Sequence, residues 1–449
     1  MGNQNQNRTP SWKLAIPFFL VLGLLTAVSL IIPLRPTQSQ AEKRNLAEFP
    51  DFSMENLLSG DYFDDISLWF SDTFPGREGW LSLAAYTQSF QGYSDIAIVT
   101  DLPQAETVPE YRPPREPEAS EPDPAATEPE ETEAPEWGGV DAGEEADINI
   151  AGSIIQIGDA MYSALGFSQT ESDRYIAAVN DFVQAVEDLD VTVVSAPAPT
   201  AIGILVEEQF QEKLHSVSQE KTLAYLHDGM DSSVVKVDTV SALRAHNSEY
   251  IYFRTDHHWT ALGAYYSYRA VCQALGMEPV ELDAMEAWDQ GEFVGSQFGR
   301  AARPQKLKHD NVVAYIPKGN IVNTVTEKNG AGGFEYPLLA DTTQRNKNAK
   351  YLVFGTDWPK AHIENRSLPA DAPSCVVVKD SFGNCFAPFL TQNFRNVYSL
   401  DYRKFREKPL TEFVEEYDID CVIFMPYLTA TQSGQGTKMI RSIALGSGK

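Results

Sequence analysis

The sequence is poor in cysteine, in positive charge and in repeats. Its 449 residues include four cysteines, too few for a disulfide-stapled scaffold. Lysine and arginine number 35 against 63 aspartate and glutamate, for a formal charge of −28. That balance repels a polyanionic partner and excludes a general nucleic-acid binder. No internal repeat is evident. Apolar residues are plentiful: 43% of the chain is hydrophobic and 11% aromatic. This excludes disorder over most of the length, which suits one large domain or two ordinary ones.

Two stretches stand apart from these averages. Leu14 to Leu34 is 21 residues without a charge. At about 1.5 Å per residue a helix there spans roughly 31 Å, the thickness of a bilayer's apolar core. Pro17, Gly23 and Pro33 are tolerated in such a helix. The expectation is an uncleaved membrane anchor; the competing reading is a signal peptide cut near Ser39-Gln40-Ala41. Arg8 and Lys13 before the run, with Arg35, Lys43 and Arg44 after it, leave orientation open by charge. A short polar tail, residues 1–13, is easier to leave inside the cell, which places residues 35–449 outside. The second stretch, residues 104–147, carries fifteen Asp/Glu, two Lys/Arg and eight Pro. Its net charge of −13 leaves −15 for the rest of the chain. It cannot bury enough apolar surface to offset its ordering entropy, so a disordered insert acting as a spacer is expected.

The remainder reads as α/β. Residues 35–103 form a helical part, with Tyr62, Ile66, Trp69, Phe70 and Phe74 at helical spacing before Pro75-Gly76. Residues 148–449 alternate apolar strands with helices. Strands are expected at 153–157, 191–196, 233–237, 250–253, 374–378, 397–400 and 421–425. An amphipathic helix is expected over 170–188. Continuous apolar strands between helices imply a mostly parallel sheet covered on both faces. In such sheets ligands bind beyond the carboxyl ends of the strands.

Two segments past strand candidates carry chemistry. In Arg254 to Thr260, Thr260 is a plausible N-cap for the helical spacing that follows, and His258 lies at the mouth of that helix. The positive end of the helix dipole disfavours imidazolium, which suits a base. Asp256 is placed to orient the imidazole. In Lys379 to Asn384, Ser381 occupies a strand-to-helix turn that exposes its hydroxyl. A serine needs an adjacent base to act as nucleophile. Joining the segments gives Ser381, His258 and Asp256 as nucleophile, base and orienter. The competing reading gathers Asp256, His257, His258 and His246 around a metal. It lacks a well-spaced fourth ligand and a nearby cysteine, so neither a metal nor another cofactor is expected. Tyr402 and Arg403, past the 397–400 strand, are candidates for the same crevice. Gly295, Ser296 and Asn384 are candidate oxyanion donors. Trp259 reads as packing, with a sugar-stacking face as the alternative. The four cysteines read as buried thiols, with Cys375–Cys421 a conceivable disulfide.

These motifs carry a family resemblance. TDHHWT followed by ALGAYYSY resembles the signature of the DHHW proteins of Gram-positive bacteria, which are similar to the alginate O-acetylation proteins with their SGNH-hydrolase-like domain. FSDTFPGREGW (Phe70 to Trp80), GEFVGS (Gly291 to Ser296), KDSFG (Lys379 to Gly383) and SLDYR (Ser399 to Arg403) follow in the family's order. Lys379 stands where SGNH enzymes often have glycine. The resemblance covers roughly residues 40–100 and 148–430. It implies an SGNH-like three-layer fold with Ser381 as nucleophile, His258 as base, Asp256 as acid and His257 at the variable position. It also implies acyl transfer outside the cytoplasm, with a polysaccharide acceptor and a membrane-bound O-acyltransferase as acetyl donor. The expected protein is therefore a single-pass, membrane-anchored O-acetyltransferase of the cell envelope. A carbohydrate esterase using the same residues, and a non-catalytic glycan- or wall-binding protein, are the alternatives.

Overall fold

The structure, a computed structural model, describes residues 153–446 except residue 331, the backbone of 148–151, and short stretches nearer the N-terminus. The anchor expected at Leu14 to Leu34 and most of the 104–147 insert lie outside the described residues. Among the described residues no helix is long and apolar enough to cross a membrane.

The chain divides into two units, residues 1–93 and 94–449. In the first, Tyr62, Ile66, Trp69 and Phe70 are helical, as their spacing requires. Edge-on ring contacts join Phe49 to Trp69 at 4.8 Å and Phe70 to Phe74 at 5.8 Å. Two-residue strands Gln38–Ser39 and Arg44–Asn45 pair antiparallel.

The second unit begins with a small antiparallel sheet of β1 (Ile148–Ala151), β2 (Ile154–Ile157) and β3 (Ala160–Ser163). Then come α1 (Gln169–Ala185), β4 (Thr192–Ser195), α2 (Ala201–Leu205), α3 (Gln219–Asp228), β5 (Val235–Lys236), α4 (Thr239–Arg244) and α5 (Ala261–Ala274). A hairpin of β6 (Glu286–Phe293) and β7 (Asp310–Ile316) follows. The chain continues through β8 (Ile321–Thr326), β9 (Phe334–Glu335), a 3₁₀ helix (Lys347–Phe354), β10 (Lys360–Asn365), β11 (Ser374–Lys379) and α6 (Gly383–Leu390). It ends with β12 (Asn396–Asp401), α7 (Leu410–Glu416), β13 (Cys421–Met425) and α8 (Gly434–Leu445).

The main sheet has eight strands in the order β9-β8-β10-β12-β11-β13-β4-β5. The five from β12 to β5 run parallel, and β10, β8 and β9 extend one edge antiparallel. Side chains alternate between its faces. Cys375, Val377, Cys421 and Ile423 pack with α5 and α6 residues such as Tyr268 and Phe386, whereas Val376, Val378, Val422 and Phe424 pack with Phe182 of α1 and Ile440 of α8. Burial on both faces explains why these strands read as unbroken apolar runs. The result is a three-layer α/β arrangement.

The mostly parallel sheet agrees with expectation; the antiparallel edge is new. One strand candidate fails. Residues 250–253 join no sheet and make only an isolated bridge, Tyr252 to Trp259. The segment doubles back on itself, with Thr260 N–H donating to the Ile251 carbonyl and Phe253 N–H to that of His258. Its apolar side chains are buried because it packs beneath the site, so apolarity alone mimicked a strand. Val108 and Tyr111, inside the expected insert, pack on the domain, and the Tyr111 ring meets Tyr225 edge-on at 5.4 Å. All four cysteines are free and buried, and Cys375 and Cys421 are register neighbours on β11 and β13.

Candidate active site

At the carboxyl end of β11 the chain turns through Asp380, Ser381 and Phe382 into α6. Asp380 shapes the turn: one carboxylate oxygen accepts from Phe382 N–H at 3.0 Å, and the other from Tyr427 N–H at 2.7 Å and Tyr402 Oη at 2.9 Å. The helix must start close against the strand. A Cβ on Gly383 would lie 2.5 Å from that of Lys379, so only glycine fits.

Residues 254–260 form the opposing loop. Asp310 of β7 gathers it, accepting from Tyr250 Oη, Arg254 N–H, Thr255 N–H at 2.8 Å and Thr255 Oγ1. Thr260 caps α5 as expected, its hydroxyl accepting from Gly263 N–H. Trp259 is fully buried and donates from Nε1 to the Phe382 carbonyl at 3.0 Å, which joins the loop to the serine turn and excludes the sugar-stacking reading.

The two segments meet. Ser381 Oγ lies 2.7 Å from His258 Nε2, and His258 Nδ1 lies 2.6 Å from Asp256 Oδ1. Asp256 and His258 are buried and Ser381 half-buried. Burial alone would raise the Asp256 carboxyl, but His258, His257 and the Ser296 N–H outweigh it and hold Asp256 well below the usual carboxylate range. An ionised Asp256 can only accept, so His258 Nδ1–H faces it as donor and Nε2 faces the Ser381 hydroxyl. The relay can take a proton from Ser381 and hold the charge that results. His257 is pushed down to about 3 by burial and by its neighbour His258, which keeps it neutral beside the relay.

Asp256, His257 and His258 each offer a ligand atom, all within 4.8 Å of one another. The donor set does not fit a metal well, because both Asp256 oxygens already serve the protein: Oδ1 faces the His258 ring, and Oδ2 accepts from Ser296. His246 is engaged elsewhere, with Glu249 at 2.7 Å and stacked on Tyr266.

The other candidates take different places. Gly295 N–H donates to Thr255 Oγ1, and Ser296 gives both its N–H and its hydroxyl to Asp256 Oδ2. These donors brace the acid and are not available to an oxyanion. Gly295 also makes room for Asp256, since a Cβ there would fall 2.3 Å from the aspartate's own. The Asn384 amide bridges Lys379 Nζ and Asp357. Tyr402 is buried on Asp380, and Arg403 pairs with Asp401 at 2.6 Å and Asp357 at 3.0 Å. These residues form a charged scaffold beneath the serine turn. Asp357 is held well below the carboxylate range: burial opposes, and Arg403, Lys379 and Lys404 prevail.

Sequence reasoning missed Tyr351, from the 3₁₀ helix. Its ring stacks on that of His258 at 4.5 Å and 18°, and its hydroxyl donates to the Ser381 carbonyl at 3.2 Å. It also missed Phe382 as a ring against His258 at 4.9 Å, and Asp310 as the hub of the loop. No spacing pattern marks them, because each reaches the site from a different element.

The profile of the DHHW protein family matches residues 42–111 and 127–400. None of the curated proteins compared matches the chain. Among solved structures, a DHHW family protein from Eubacterium siraeum superposes with a TM-score of 0.60 at 24% identity, covering 67% of this chain and 98% of that one. Bacillus cereus PatB1 superposes at 0.50 and 18%, covering 65% and 99%, and is also known with a sulfonyl adduct. The O-acetyltransferase domain of Pseudomonas putida AlgJ gives 0.38 at 12% identity, covering 63% and 96%.

Proposed function

The chain belongs to the DHHW protein family, and from that premise we propose that it transfers an acyl group, acetyl by expectation, to a hydroxyl of a cell-surface or extracellular polysaccharide. The observation that carries this reading is the relay of 2.7 Å and 2.6 Å contacts from Ser381 through His258 to Asp256.

Ser381 Oγ attacks the carbonyl carbon of the acyl donor while His258 Nε2 takes its proton. The tetrahedral oxyanion collapses, the donor's leaving oxygen takes that proton from His258, and an acyl-serine remains. A sugar hydroxyl then loses its proton to His258 and attacks the acyl-serine. The new ester leaves, and the proton returns to Ser381. Asp256 stays ionised throughout and stabilises the imidazolium at each stage. Among the described residues the Ser381 N–H donates to no protein group, and we assign it to the oxyanion. Tyr351 holds the His258 ring from one face.

The uncharged run at Leu14 to Leu34 supports a membrane anchor with the folded unit outside the cell. A membrane-bound O-acyltransferase is the donor partner that such a placement suits. The sulfonyl adduct known for PatB1 supports using a sulfonyl fluoride as a probe of Ser381.

The test separates transfer from hydrolysis. The protein is given p-nitrophenyl acetate with and without envelope polysaccharide. Acetyl esters appearing on the polymer, and absent with Ser381→Ala, support transfer. Acetate release with no polymer ester makes the protein an esterase, and no turnover of either kind leaves a binding protein.

A further inference from the structure

Tyr351 touches both halves of the relay. Its ring lies over the His258 ring at 4.5 Å and 18° from parallel, and its hydroxyl donates to the Ser381 carbonyl at 3.2 Å. The 3₁₀ helix that carries it is tied to the segment bracing Asp256. Val294 N–H, one position before Gly295, donates to the Lys347 carbonyl at 3.2 Å. Three further rings fix the Tyr351 ring: Phe354 at 5.3 Å, Phe253 at 6.0 Å and Phe293 at 6.5 Å. All three are buried. Burial pushes the phenol well above its ordinary range, and Cys385 and Asp256 add to the shift, so the hydroxyl remains a neutral donor.

A stack of this kind has two electrostatic states. Before any proton moves, the two rings pack as aromatic neighbours. When Ser381 Oγ bonds to the acyl carbon, its proton passes to His258 Nε2 and the ring gains a positive charge. The charge lasts until the proton leaves for the donor's departing oxygen. The face of a tyrosine ring is the negative part of its quadrupole, and a cation within about 6 Å of the centroid is attracted to it. Asp256 meets the new charge at Nδ1, and Tyr351 meets it across the ring face. An attraction that appears only with the charge lowers the barrier, whereas packing present throughout does not.

We propose that Tyr351 is a positioning residue whose ring stabilises the imidazolium that His258 becomes during acyl transfer, while its hydroxyl holds the Ser381 carbonyl against that ring. The assignment rests on the acyl-transfer reading and adds to it a group that acts on the charged stage of the reaction. Phe382, tilted 48° at 4.9 Å, and His257, tilted 38° at 3.9 Å, do not lie flat on His258, so the stacking face belongs to Tyr351.

The experiment uses the full chain with phenylalanine and its mono-, di- and trifluorinated analogues placed at position 351. Fluorine drains the negative ring face and leaves its shape nearly unchanged. Single-turnover acetylation of Ser381 by p-nitrophenyl acetate is timed, with the half-saturating donor concentration and the thermal midpoint recorded for each chain. The rate falls with each added fluorine, by about fivefold or more over the series, while the other two readouts stay level. Tyr351→Phe, which keeps the ring and loses the hydroxyl, costs less than Tyr351→Leu, which loses both. Should Tyr351→Leu not fold, the fluorinated chains decide. A rate that ignores fluorination, as expected of a ring that only fills space, overturns the assignment, and so do equal losses in the Phe and Leu variants. The two readings fail distinguishably. Wild-type acetylation of Ser381 with a flat fluorine series overturns the role of Tyr351 alone. A wild-type chain that neither acetylates Ser381 nor turns over the ester overturns acyl transfer, and this role with it.

Discussion

The two halves of the site are built in opposite ways. The serine half is local: a buried strand, a three-residue turn and a helix follow one another, and Asp380 within the turn organises the backbone around it. The histidine half has no sheet to stand on. Its loop is held from a distance by Asp310, 55 positions from Thr255, and by Gly295 and Ser296, 40 positions from their partners. Regular secondary structure places Ser381, whereas a buried carboxylate and two borrowed N–H groups place His258 and Asp256. Damage to the histidine half should therefore spread through stability and activity together, and damage behind the serine half should be absorbed by the sheet.

Removing the reacting atoms tests neither scaffold and gives the largest effect. Ser381→Ala lowers acetyl-ester turnover by about 10³-fold or more, and Asp256→Asn by less than His258→Ala, each measured as kcat on a folded protein. The first strike at a scaffold is Asp310→Ala. It strands four donors, two of them buried, and costs roughly 3 to 5 kcal/mol in denaturant unfolding, with turnover falling as the loop relaxes. An intact kcat in a destabilised Asp310→Ala protein would break the contrast. Gly295→Ala forces a methyl against Asp256. It costs about 1 to 3 kcal/mol and lowers kcat through the displaced acid, read as a kcat loss that Gly295→Ser does not rescue.

A pH series sharpens the same point. Asp256 is depressed in the folded protein relative to an ordinary value of about 3.9. Its contribution is therefore complete above that value and is lost only as pH falls through the folded value. The stability gap between wild type and Asp256→Asn should hold steady from about pH 7 to pH 5 and close only below about pH 4. The smallest effect belongs to the serine half. Tyr402→Phe removes one of three donors to Asp380, costs about 1.5 kcal/mol, and leaves kcat nearly unchanged.

What was legible in the sequence follows the same division. The strands expected at 374–378, 397–400 and 421–425 announce themselves because burial on both faces makes their centres mostly apolar. Ser381, His258 and Asp256 were readable because the chemistry demands those residue types beside a turn and a helix start. The 250–253 segment misled because its apolar residues are buried under a loop, which composition does not distinguish from a strand. Gly295, Ser296, Asn384, Tyr402 and Arg403 were candidates for the crevice or the oxyanion, and in the structure their donors face Thr255, Asp256, Asp357, Asp380 and Asp401. Only the fold shows which way a polar group points. Tyr351 and Asp310 leave no local signal, since each acts across 30 or more positions.

The most direct measurement is peptide mass spectrometry of the full chain after brief exposure to p-nitrophenyl acetate and acid quench. The account predicts an acetyl group on Ser381, absent from His258→Ala and cleared when acceptor glycan is added before the quench. Ester turnover with no adduct on Ser381, or with the acetyl group on another residue, would contradict it.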